Sequence, residues 1–110
     1  MANYKLKSFD DIILKNLRDP EYAVAYLQDA LDDSMSDFLV ALGKYIRANG
    51  GMTNCAKSAG ITREALHRML SEDGNPRFES ILFILKALDL HITISDHTPS
   101  KSSDRELTPA

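Results

Sequence analysis

The stretch GMTNCAKSAGITREALHRML, residues 51–70, constrains the fold more than any other. It reads as a helix interrupted after two turns, at Ala59-Gly60-Ile61, and restarted at once. Two short helices joined by a three- or four-residue turn meet at about 100°, and that geometry imposes several separate demands. A small residue must stand where the second helix crosses the first, and Ala56 supplies it. The turn needs a residue that accepts positive φ, and Gly60 supplies that. Cys55, Ala59 and Ile61 can point inward around the turn, and the second helix can bury Leu66 with Met69 or Leu70. Thr53 and Thr62 stand where N-caps belong. The spacing predicts a helix-turn-helix over residues 52–71.

The rest of the chain is helical in pattern. Ser8 can cap a short first helix carrying Phe9, Ile12, Ile13 and Leu17. Asp19-Pro20-Glu21 restarts the chain with a capping Asp and a Pro at the first helical position, where its missing N–H costs nothing. Tyr22, Ala23, Tyr26, Leu27, Ala30 and Leu31 then recur at helical spacing. Asp32-Asp33-Ser34 breaks that helix, and Ser34 or Ser36 can cap a third one with the stripe Phe38, Leu39, Leu42, Tyr45 and Ile46. Asn49-Gly50-Gly51 ends it. Pro76 opens a last helix, with Asn75 as a cap. Phe78, Ile81, Leu82, Leu85 and Leu88 form one apolar face of it, and Phe83, Ile84 and Ala87 form a second. A helix apolar on two sides is central in the core or also meets a second subunit.

Residues 91–95, HITIS, alternate and are rich in β-branched side chains. They are either a short C-terminal strand, which needs a partner such as the same strand of a second copy, or an extended cover over the core. The fold class expected is therefore all-α, five to six short helices with that one strand as an open alternative. Residues 1–95 form a single helical domain in this reading, and residues 96–110 a polar, disordered tail.

Charge bears on function. The chain as a whole carries −3, yet residues 44–77 hold six Lys/Arg against three Asp/Glu, the only basic block in it. Phosphate responds to charge within a Debye length of about 8–10 Å, so the total does not exclude DNA. The helix after the hinge exposes Thr62, Arg63, Glu64, His67 and Arg68, residue types that read base edges in a major groove. Thr53, Lys57, Arg77 and Lys44 or Arg47 are placed to touch phosphate and set register. The plainer alternative is a solvated face on a core-packed helix hairpin.

Other chemistries find little support. His67, His91 and His97 are scattered, and Cys55 falls at an inward position that suits packing. Glu72-Asp73-Gly74-Asn75 lacks the alternating carboxylates of a calcium loop. Neither a catalytic constellation nor a cofactor or metal site is expected. A single cysteine, no apolar run of membrane-spanning length and no apolar leader point to a cytoplasmic protein.

Together these residues resemble a known family. The segments RDPEYAVAYLQDALDD, FLVALGKYIRANGGMT, AKSAGITREALHRMLSEDGNPRF and ILFILKALDL look like the Xre or lambda-repressor-like helix-turn-helix fold. More narrowly they resemble the probable addiction-module antidote proteins, a HigA-like antitoxin branch. The resemblance implies a dimer that binds a palindromic operator in double-stranded DNA, represses its own operon and neutralises a neighbouring toxin of RelE/ParE type. Cys55 departs from the aliphatic residue usual in that branch, and the polar tail is not explained by it. Two other functions stay open at this point. One is a toxin-binding module whose helix-turn-helix is only scaffold, its acidic N-terminal part suiting a basic partner. The other is a phage-type repressor without a toxin.

Overall fold

A computed structural model describes the backbone of residues 2–96, Glu72 excepted, and side chains from Phe9 onward. Six helices follow one another among these residues: α1 (Ala2–Asn16), α2 (Pro20–Asp33), α3 (Met35–Ala48), α4 (Gly51–Ala59), α5 (Arg63–Met69) and α6 (Phe78–Ala87). The fold is all-α. The tail expected at 96–110 lies, beyond Asp96, outside the described residues.

Local chemistry sets most of the boundaries. Asp19 caps α2 by accepting from the Glu21 amide, and Pro20 takes the first helical position. Ser34 serves two helices. Its amide donates to the Ala30 carbonyl at 3.0 Å to close α2, while its Oγ accepts from the Asp37 amide at 3.0 Å to open α3. At the far end of α3, Asn49 Nδ2 donates to the carbonyls of both Tyr45 and Leu17, each at 3.0 Å. That one amide fastens the end of α3 to the segment leaving α1.

The core forms around α3, which packs against α1, α2 and α4, while α4 in turn carries α5 and α6. Leu39, Leu42 and Ile46 of α3 are fully buried with Leu17, Leu66 and Ile84. Burying an aliphatic side chain of this size contributes roughly 1.5–3 kcal/mol at each of these six positions. Among the described residues no polar or charged side chain is buried.

Four expectations need correction. α1 runs on from Ala2, so Ser8 lies within it rather than capping it; no Gly or Pro breaks residues 2–16, and a serine alone does not stop a helix. α4 starts at Gly51 with Gly50 as its N-cap, so Thr53 sits in the first turn. The left-handed φ of Gly50, 111°, lets the chain re-enter a helix at once after α3. α6 starts at Phe78 with Arg77 as N-cap, which leaves Asn75 and Pro76 in the connection before it. Residues 91–95 form no strand among the described residues; residues 91–93 line a groove beside α2 and all five are exposed.

Candidate nucleic-acid interface

The hinge is built as its glycine implies. Gly60 sits at φ 73°, and a Cβ there would meet nothing within 4 Å, so the requirement is the dihedral itself. A left-handed conformation costs a non-glycine residue roughly 1–2 kcal/mol. The turn then satisfies the last carbonyls of α4. The Gly60 amide donates to Lys57 at 3.2 Å, and the Ile61 amide donates to Ala56 at 3.0 Å. Thr62 follows as the N-cap of α5, its Oγ1 accepting from the Ala65 amide at 3.0 Å. Cys55 and Ala56 are buried where the helices cross, with Ala59 and Ile61 half-buried beside them.

α5 is held by little. Leu66 and Leu70 are buried, and Met69 packs half-buried against the core. At 100° per residue, Glu64 and Arg68 fall opposite Leu66 and Leu70, His67 stands to the side, and Arg63 falls near the direction of Leu70 in the first turn. All four are exposed, as is Thr62. Among the described residues none of Arg63, Glu64, His67 and Arg68 has a side-chain hydrogen-bond or ion-pair partner. The connection after α5 is fixed by space instead of dihedral. A Cβ on Gly74 would collide with the Met69 carbonyl oxygen and come within 2.8 Å of that of Arg68.

The other sequence candidates stand on other elements. Thr53 and Lys57 are exposed on α4, and Arg77 is exposed ahead of α6. Gly50 brings no side-chain cap, so the first amides of α4 have no side-chain acceptor there. Lys44 is half-buried on α3. It is Arg47, weighed only as its alternative, that lines a cleft with His67 and Ser71. The i, i+4 spacing of Gly43 and Arg47 was a usable signal: the guanidinium lies back over Gly43, whose Cβ would stand 3.8 Å from it.

The remaining chemistry is quiet. Burial pushes the Cys55 thiol above its ordinary range, which keeps it protonated and unreactive. No group of three His, Cys, Asp or Glu side chains fit for a metal gathers among the described residues. None of the described helices is long and apolar enough to cross a membrane.

Against known proteins, residues 5–96 match the family described as "Probable addiction module antidote protein". The chain belongs to that family. A protein of Haemophilus influenzae described as uncharacterized is 37% identical over 91 residues, which span 82% of this chain and 91% of its own length. No solved structure gives a significant match. Membership makes the antidote protein the antitoxin side of an addiction module and implies a toxin as partner in general.

Proposed function

We propose that this antidote protein also reads duplex DNA, with α5 as the recognition helix, and represses the operon that encodes it and its toxin. One observation carries the reading. A short helix, capped by Thr62 and anchored through Leu66 and Leu70, presents Glu64, His67 and Arg68 outward in the chain's only basic block. Arg63 and Arg68 reach guanine O6/N7, Glu64 accepts from cytosine N4, and Thr62 and His67 complete the base contacts. Thr53, Lys57, Arg77 and Lys44 or Arg47 hold phosphates. A dimer sets two such helices about 34 Å apart, in successive major grooves of a palindromic operator. The toxin is of the RelE/ParE type that the sequence resemblance implies.

The test is a gel shift on the upstream region with Arg63→Ala/Arg68→Ala. Each bidentate arginine contributes about 1–3 kcal/mol of base contact, so the double variant loses binding by about thirtyfold or more while its circular dichroism stays unchanged. Unaltered binding by the folded double variant would refute DNA reading through α5.

A further inference from the structure

A second surface lies away from α5. Val24, Leu27 and Leu31 of α2 face residues 90–93 across a groove of about 360 Å³, floored by Phe38 and Leu85. Leu27, Phe38 and Leu85 are buried, but Val24 is 59% exposed on the rim. The opposite wall is unusual. Leu90 is anchored, its amide donating to Leu85 at 2.8 Å after the left-handed Asp89 (φ 66°). Beyond it residues 91–95 belong to no helix or turn and have no backbone partner among the described residues, and Ile94 is 92% exposed. A β-branched segment outside any helix, with unpaired N–H and C=O groups, is a template for strand addition once it extends.

We infer that this groove is the toxin-docking surface, and that it takes an extended toxin segment which pairs with residues 91–95 and seats its alternate apolar side chains against α2. The partner's charge follows from the rim. Residues 1–43 hold eight Asp/Glu against four Lys/Arg, and on α2 the exposed Glu21 and Asp32 flank the groove, three residues before Val24 and one after Leu31, with Asp32 Oδ1 accepting from the lining Gln28 at 2.9 Å. Pairing with the same segment of a second copy would bring two such helices together, and like charges across an interface are unfavourable. A segment flanked by Lys or Arg gains where a second copy loses. The occupant is therefore the toxin that family membership implies, and the inference rests on that membership and not on DNA reading.

The experiment uses the full-length chain co-expressed with the tagged product of the adjacent reading frame. Val24→Lys places a bulky positive charge on the groove's rim at an exposed site; Thr93→Pro removes one strand donor from an exposed position outside any helix. Each weakens capture by about tenfold or more, as loss of an interface anchor does, with melting temperature unchanged. Hydrogen exchange on the wild-type complex shows slowed amides at alternate positions of 91–95, the mark of a paired strand. Equal capture of both folded variants, or unslowed amides at 91–95 in the complex, overturns the docking site alone. No capture by wild type overturns the toxin partnership from which the inference starts. Variants that alter the oligomeric state but leave capture intact assign the groove to a second copy and overturn the inference.

Discussion

α3 and α5 begin alike and end up with opposite tasks. Each is opened by a hydroxyl that accepts from the amide three residues on, Ser34 from Asp37 and Thr62 from Ala65, both at 3.0 Å. α3 then buries Phe38, Leu39, Ala41, Leu42, Gly43 and Ile46 and touches three neighbouring helices. Within α5 only Leu66 is buried, with Leu70 following at its C-cap. The difference teaches that a cap starts a helix, while the width of its apolar stripe decides what the helix is for. α3 is consumed by the core. α5 is clipped to the core by two leucines, and most of its circumference is left for a partner.

The comparison breaks most forcefully at Leu42, which has no exposed surface. Leu42→Ala lowers the unfolding free energy by about 2–5 kcal/mol in urea denaturation, the cost of lost transfer energy plus a cavity. The caps give a smaller effect that separates the two helices. Ser34→Ala and Thr62→Ala each cost about 1 kcal/mol of helix stability. For Ser34 the loss registers in global unfolding. For Thr62 it registers also as local amide exchange in α5, because α5 has so few buried contacts, and as weaker operator binding if α5 is the recognition helix proposed above. The smallest effect concerns Arg47. If it holds a phosphate beside His67, Arg47→Ala leaves base preference alone and reduces the slope of log affinity against log salt by about one. An unchanged slope would place Arg47 outside the interface.

Much of this was legible in the residues because the signals are local. Asp19-Pro20, Ser34, Asn49-Gly50-Gly51 and Gly60 act within four residues of themselves, and each stands where a helix starts or stops. The buried stripe of α3 and the outward set 62–68 also follow from a period of 3.6. What was misread came from signals that compete. Thr53 looked like a cap because its hydroxyl suits the role, but Gly50 turns the chain sooner and α4 begins ahead of it. Asn75-Pro76 looked like a helix start, yet Gly74 must tuck against the carbonyls of α5 before α6 can begin. Phe78 and Phe83, on the two apolar faces that suit a central core helix or one that also meets a second subunit, are 61% and 58% exposed on the single chain, since α4 and the core reach only the Ile81, Ile84 and Leu85 side of α6.

The sequence by itself thus determined that the chain is helical, where its hinge lies, and which side chains of α5 stand free. Those outcomes depend on dihedral preference, capping and periodicity, which act between near neighbours. Tertiary structure alone decided that Arg47 shares a cleft with His67, that residues 91–93 stand beside α2, and that a groove opens between them. Each of these joins residues more than a dozen positions apart. Their proximity is set by how six helices share one core, which no window along the chain contains.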